Sequence, residues 1–165
     1  MILWKEEEIY DLLKGIVNKS SSSQIEVGFR SENRALTRFA GNTIHQSTET
    51  DNLSLVVRIA LGQKIGCASA NQMDPDTIRW LINRATENAK ISKPNPYFSG
   101  FLGKTECIPL KDPCLCESTI YATPADLAEK AHEIIHKVQG ENFEAAGSIS
   151  TCAENAAVLT SAGQF

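Results

Sequence analysis

The sequence predicts an α+β fold: a curved antiparallel β-meander of about five strands, helices packed on one face, and a partial second β region at the C-terminus. Three observations support this prediction. Short segments of alternating apolar and polar residues follow one another between residues 25 and 69, joined by turns too short for a crossover helix. Helical periodicity occurs on both sides of these segments. A last extended segment covers residues 145–161.

The first helix is predicted by an apolar stripe at the spacing of one helical face. The acidic residues of its first turns complement the positive end of the helix dipole. The stripe consists of Ile9, Leu12, Leu13, Ile16 and Val17, and the acidic residues are Glu6, Glu7 and Glu8.

Five short strands are predicted next, at residues 25–29, 35–40, 43–48, 53–59 and 64–69. The turns between them fall at residues 30–33, 41–42, 50–52 and 62–63. Gly41-Asn42 and Gly62-Gln63 are typical of two-residue hairpin turns. Because strands joined by such turns pair with opposite directions, the segment predicts a meander.

Two further helices are predicted by a cap followed by proline, at Asp74-Pro75 and Thr123-Pro124. The sequence between these helices is rich in proline and glycine. The predicted organisation is an N-terminal α+β domain over 1–91, a connection over 92–121, and a helix and strand over 122–165. This last part is predicted to lead into a C-terminal domain outside the chain.

Charge and cysteine content exclude several functional classes. The 165 residues carry a net charge of −4 with scattered Lys and Arg, which argues against direct nucleic-acid binding. No apolar run reaches the roughly 18 residues of a membrane span. The five cysteines, including Cys107, Cys114 and Cys116, form neither a disulfide framework nor a zinc-ribbon pattern. We therefore expect a cytoplasmic protein with reduced thiols.

Residues 132–136 read HEIIH and match the HExxH zinc motif. One hypothesis is a self-contained zinc peptidase in which His132 and His136 bind the metal and Glu133 activates a water molecule. A helical wheel, however, places both histidines on the charged face of the predicted helix. Lys137 follows the second histidine, and no third ligand stands at the spacing of the extended motif. The sequence favours a solvated helix face, with no catalytic residue and no metal ligand in this chain.

A series of motifs resembles the N-terminal domain of the TldD/PmbA family, once called modulators of DNA gyrase. Residues 35–46 read ALTRFAGNTIHQ and are similar to a strand pair of that family. The segments that follow in the same order are 55–60 (LVVRIA), 63–69 (QKIGCAS), 146–151 (AGSIST) and 159–163 (LTSAG).

The resemblance implies a cytosolic zinc metallopeptidase system that acts on peptides or unfolded protein and assembles as homo- or heterodimers around an enclosed cavity. The zinc motif of the family, HExxxH, belongs to a C-terminal half outside this chain. Zinc is therefore expected there if the parent protein is active. Other members lack the motif and serve as partner subunits. The leading hypothesis is the N-terminal, non-catalytic half of such an enzyme or partner. A protein-interaction module without a peptidase role is the other alternative.

The hairpin over residues 38–46 is the predicted substrate-binding surface, because a strand edge can pair with an extended peptide. Its polar side chains could contact a peptide and its aromatic ring could supply an apolar contact. In the alternative, Phe39 and Ile44 belong to the core and the polar residues only fix the turn. The candidates are Arg38, Phe39, Asn42, His45 and Gln46.

Overall fold

The computed structural model describes residues 4–22, 24–105 and 116–165. These residues form four helices and four strands. In chain order they are α1 (Glu6–Lys19), β1 (Ile25–Ala40), β2 (Thr43–Leu61), β3 (Lys64–Ala70), α2 (Pro75–Ile91), α3 (Glu117–Ile120), α4 (Pro124–Gly140) and β4 (Gly147–Thr160). No helix within the described ranges is both long and apolar enough to cross a bilayer.

The strands form one four-stranded antiparallel sheet in the order β3-β2-β1-β4. The β2–β3 register runs from Leu55 opposite Ala70 to Leu61 opposite Lys64. This sheet and its helices confirm the predicted α+β class, and β4 is the predicted C-terminal β segment. The strand number differs, because the predicted first and second strands are both β1 and the predicted third and fourth are both β2.

Two of the four predicted turns do not exist in the structure, because residues 30–33 and 50–52 continue β1 and β2. Their polar side chains bond across the two strands. The side-chain amide of Asn33 donates to a carboxylate oxygen of Glu49 at 3.0 Å and of Asp51 at 2.8 Å. A polar stretch therefore stays extended here, since its hydrogen bonds are made between neighbouring strands.

The other two predicted turns are confirmed. Gly41 and Asn42 have φ values of 53° and 58°, as a two-residue type I′ hairpin requires. Gly62 has a φ of 62° at the first position of the turn between β2 and β3. Both turns match the right-handed twist of the strands they join.

The described residues divide into two compact units. The larger unit is drawn from residues 4–31, 53–105 and 155–165, and the smaller one from residues 32–52 and 116–154. β1, β2 and β4 each contribute residues to both units. The domain boundaries predicted near residues 91 and 121 stay a prediction. Residues 106–115 of the predicted connection, with Cys107 and Cys114, lie outside the described residues.

The larger unit has an extensive apolar core between α1, α2 and the sheet. Its most buried members have no exposed surface and come from α1, β1, β2 and α2. They include Leu13, Ile16, Val27, Leu55, Val57, Leu81, Ala85 and Ala89. Helix α2 comes very close to β3 at Gly66. A Cβ atom at this position would lie 2.1 Å from the carbonyl oxygen of Ala85.

The core of the smaller unit is much smaller. Its buried cluster consists of Phe39 from β1 and Ala131 and Ile135 from α4. Ile44, Ala145 and Ile149 pack against this cluster. Phe39 is the largest side chain of this cluster.

The predicted helix starts at Asp74 and Thr123 are confirmed by their caps. The Asp74 carboxylate accepts from the backbone N–H groups of Asp76 at 3.1 Å and Thr77 at 3.0 Å. At α4, Asp126 accepts from the backbone N–H of Thr123 at 2.7 Å and from its hydroxyl at 2.6 Å. These bonds stabilise the charged carboxylates and fix the first turn of each helix.

The capping carboxylate of Asp126 predicts a loss of stability in acid. The hydroxyl and backbone hydrogen bonds from Thr123 hold the pKa of Asp126 below its usual range. Since the pKa is lower in the folded chain, this contribution is complete above the ordinary Asp pKa and lost as the pH falls below about 4. We expect Asp126→Asn to flatten the fall in melting temperature between about pH 5 and pH 3. Glu129→Gln, an equal charge change on the same helix, serves as control. Identical pH profiles of the melting temperature for Asp126→Asn and the unsubstituted chain would contradict the role of this cap.

Candidate functional site

An open strand edge is the main feature of the smaller unit. β3 pairs only with Leu55–Leu61 of β2. Within the described part of the chain, Thr43–Asn52 therefore has no strand on the side of β2 that faces away from β1. At about 3.3 Å per residue these ten residues extend for roughly 33 Å. An edge of this length offers backbone donors and acceptors to an extended peptide.

The side chains along this edge are mostly exposed and polar. Glu49 and Asp51 are two residues apart and so point to the same face of the strand. Both carboxylates accept from the amide of Asn33. Two exposed carboxylates held side by side favour a peptide with basic side chains at alternate positions.

Three of the five predicted binding residues lie on the surface. Arg38 is exposed on β1, and His45 and Gln46 are exposed on β2 at the start of the open edge. The His45 ring is held by its own hairpin, since its Nε2 atom lies 2.9 Å from the carbonyl oxygen of Ala40. Their part in peptide binding stays a prediction.

The other two predicted residues have packing and bonding roles. Phe39 is only 7% exposed and belongs to the core cluster with α4. Asn42 binds the chain that follows α4: its side-chain oxygen accepts from the backbone N–H of Ala145 at 2.8 Å, and its amide donates to the carbonyl of Phe143 at 3.0 Å. The part of these two residues in peptide binding also stays a prediction.

The sequence did not reveal the pair of carboxylates of Glu49 and Asp51, because residues 50–52 were predicted as a turn. A signal was nevertheless present. Glu49 and Asp51 continue the alternation of the preceding strand residues, and Asn33 lies at the matching position of β1. Recognising a continuous strand would have placed both carboxylates on one face.

The HEIIH segment lies on α4 as the helical wheel predicts. His132, Glu133 and His136 are exposed, while the neighbouring Ala131 and Ile135 are buried. Glu129 and Lys137 complete a shallow surface depression with them. Among the described residues no three His, Cys, Asp or Glu side chains are placed to bind one metal ion. A catalytic zinc needs three protein ligands and an open position, so these residues do not fit a zinc centre and the zinc-peptidase hypothesis gains no support.

Comparison with known proteins connects this geometry to one family. Residues 25–89 match the sequence model of the family described as PmbA/TldA metallopeptidase, domain 1. The matched segment includes the open edge of β2 and the whole of α2 apart from its last two residues. No curated protein sequence matches the chain.

Solved structures share the fold at low sequence identity. TldE from Thermococcus kodakarensis is 18% identical with a TM-score of 0.76, over 94% of this chain and 35% of that one. A protein described as a modulator of DNA gyrase from Thermotoga maritima is 14% identical, with a TM-score of 0.73 over 96% and 36%. Another protein of that description, from Bacteroides thetaiotaomicron, is 12% identical with a TM-score of 0.76 over 98% and 38%. The chain thus spans about a third of the length of these structures.

Proposed function

The chain belongs to the PmbA/TldD family through its N-terminal domain, and from this we propose that it is the non-catalytic N-terminal part of such a metallopeptidase or of a metal-free partner subunit. In this role it shapes the substrate cavity and positions an extended peptide. The proposal includes a cytoplasmic protein that assembles as a homo- or heterodimer, as the family resemblance implies.

The observation that carries the proposal is the family match over residues 25–89, which contain the open edge at Thr43–Asn52. A peptidase must hold its substrate extended, because a folded segment does not present its backbone. The open edge supports this role, since strand addition satisfies backbone donors and acceptors of the peptide whatever its side chains are. The affinity for the peptide would come from backbone hydrogen bonds, and the preference for one peptide sequence over another would come from the side chains.

The charges on the edge indicate the preferred peptide. Glu49 and Asp51 lie on one face of β2, about 7 Å apart along the strand as alternate residues do. Basic side chains at alternate positions of an added strand would meet these carboxylates directly. Because the carboxylates are exposed, each contact contributes at most about 1 kcal/mol and weakens with salt.

The chemistry of hydrolysis is assigned to other parts of the complete protein. The described residues hold no set of side chains that fits a zinc centre. The role of this chain is therefore to bind and orient the peptide, and we expect it to leave peptide bonds intact by itself. Cleavage that depends on His132 and His136 would contradict this division.

Removing the two charges of the edge tests the proposal. The probe is a fluorescently labelled ten-residue peptide of alternating lysine and valine, and the measurement is anisotropy. The double substitution Glu49→Gln and Asp51→Asn keeps oxygens that accept from Asn33 but removes the charges. We expect about fivefold weaker binding, from roughly 0.5 kcal/mol for each exposed contact. The same charge change at Glu6 and Glu7 of α1 should leave binding unchanged.

A second probe separates strand addition from charge attraction alone. Methylation of every second backbone nitrogen of the peptide removes its donors on one edge but keeps its side chains and charge. We expect one of the two methylation patterns to abolish binding, because only one edge of the peptide faces β2. Equal binding of the unmodified peptide and both methylated forms, or no binding of any of them, would refute the proposed edge.

A further inference from the structure

The open edge of β2 contains an irregularity close to the hairpin tip. The two-residue turn places Ile44 opposite Phe39, and Ile44 packs against the cluster that contains this ring. Further from the turn, the hydroxyl groups of Thr37 and Ser47 form a hydrogen bond of 2.9 Å, so these two side chains lie on one face of the sheet. Thr37 and Phe39 are alternate residues of β1 and share that face. Their partners on β2 are three residues apart, so one extra residue lies between them, which is a β-bulge at residues 45–46.

Beyond the bulge the two strands keep one register. The backbone N–H of Ala60 donates to the carbonyl of Gln24, and from the Thr37–Ser47 bond to this one both segments advance by the same number of residues. Even-numbered residues of this part of β2 thus direct their backbone groups toward β1, as Ala60 does. Odd-numbered residues direct theirs to the other side, where Leu61 pairs with β3. On the open edge the outward backbone groups therefore belong to Ser47, Glu49 and Asp51.

Two of these three residues also carry the exposed carboxylates of the edge. Glu49 and Asp51 thus offer backbone hydrogen bonds and a negative charge at the same positions. In an antiparallel pair, residues directly opposite each other exchange both backbone bonds, whereas the slanted bonds of a parallel pair go to the neighbours of the opposite residue. The basic residues of a peptide opposite the carboxylates therefore make the backbone bonds in an antiparallel strand. In a parallel strand the residues between them make these bonds.

We propose that a peptide strand adds antiparallel to β2 along residues 47–51 and that its basic residues make the backbone bonds to Glu49 and Asp51. The sheet is antiparallel, and antiparallel pairing is the more stable per residue. The inference rests on the proposed function and names its substrate class, which is short extended peptides with Lys or Arg at alternate positions. Because proline has no backbone N–H, this site accepts proline only between the basic residues.

The bulge ends this site on the side of the hairpin tip. The alternation of outward backbone groups changes phase at residues 45–46, so a regular peptide strand cannot stay bonded across them. An antiparallel peptide points its C-terminus toward the tip, because β2 begins there. Residues 47–51 therefore hold about five peptide residues, and residues added at the C-terminus of the peptide gain no backbone bonds.

The two methylated forms of the lysine–valine peptide decide the direction of the added strand. Methylation of the lysine nitrogens should weaken binding by about tenfold or more, because it removes at least two backbone bonds. Methylation of the valine nitrogens should leave the affinity within about twofold of the unmodified peptide, since these N–H groups face solvent. The reverse result would overturn the antiparallel direction and leave strand addition itself standing. Equal binding of all three peptides, or no binding, would refute both this inference and the proposed function.

A pair of peptides of different length tests the limit set by the bulge. The peptide KVKVT and its C-terminal extension KVKVTVTVT carry the same charged side chains and should bind the unsubstituted chain within about twofold of each other. Deletion of Gln46 removes the extra residue and should let the longer peptide bind about tenfold more tightly than the shorter one. Gln46→Ala keeps the bulge and is the matched control, and circular dichroism checks the fold of both variants. A tenfold gain with the longer peptide in the unsubstituted chain would overturn the limit whether or not the deletion variant folds, and a folded deletion variant without a gain would also contradict it.

Discussion

Replacement of Gly66 by alanine is expected to destabilise the chain by about 3 kcal/mol or more, at the upper end of overpacking substitutions. A Cβ atom at this position would lie 2.1 Å from the carbonyl oxygen of Ala85, and 2.2 Å from the backbone nitrogen of Ala89. These are backbone atoms of a helix, so no side chain can rotate away. To relieve the clash, α2 must move off β3 and lose contacts of the larger core.

Urea denaturation followed by circular dichroism measures this effect. Gly15→Ala provides the matched control, because Gly15 is exposed in α1 and has no atom within 4 Å of the added Cβ position. That substitution should stabilise the chain by about 0.5–1 kcal/mol, since alanine is the better helix former. If Gly66→Ala unfolds at the same urea concentration as the parent chain, the close contact between α2 and β3 is wrong.

Phe39→Ala is expected to destabilise the smaller unit by about 3–5 kcal/mol, the usual cost of removing a buried aromatic ring. The ring is 7% exposed and packs against Ala131 and Ile135 of α4. A Cβ atom at Gly147 would come within 3.1 Å of its Cζ atom, so β4 also lies close to it. Because this buried cluster is small, other side chains cannot replace the lost contacts.

The substitution at Phe39 is best measured by amide hydrogen exchange, which reports local opening. We expect the amides of α4 to lose protection more than those of α1 and α2. Phe143→Ala removes the same ring from a side chain that is 69% exposed and should change protection little. Unchanged protection of α4 in Phe39→Ala would contradict the packing of this ring against the helix.

Helices and short turns could be predicted from local sequence because local interactions determine them. The cap and proline pairs at Asp74-Pro75 and Thr123-Pro124 fix where α2 and α4 begin. The positive φ values at Gly41 and Asn42 are favoured by those residue types alone. Residues 30–33 were predicted as a turn because their side chains are polar, whereas the side chain of Asn33 bonds to residues of β2 that lie 16 or more positions away.

The candidate site could be predicted only in part. The helical wheel gave the exposure of His132 and His136, because a helix fixes which of its residues share a face. Alternation in a strand likewise gives the face of Phe39, but it does not show what covers that face. Burial by Ala131 and Ile135 of α4, more than 90 residues further along the chain, comes from tertiary packing and leaves no local pattern.

The sharing of β1, β2 and β4 between both compact units has a consequence for the history of this fold. Each unit is assembled from several separate stretches of chain. A single crossover between genes therefore cannot transfer one unit without cutting the other, and no continuous fragment contains either one alone. The two units are expected to be inherited, expressed and lost together.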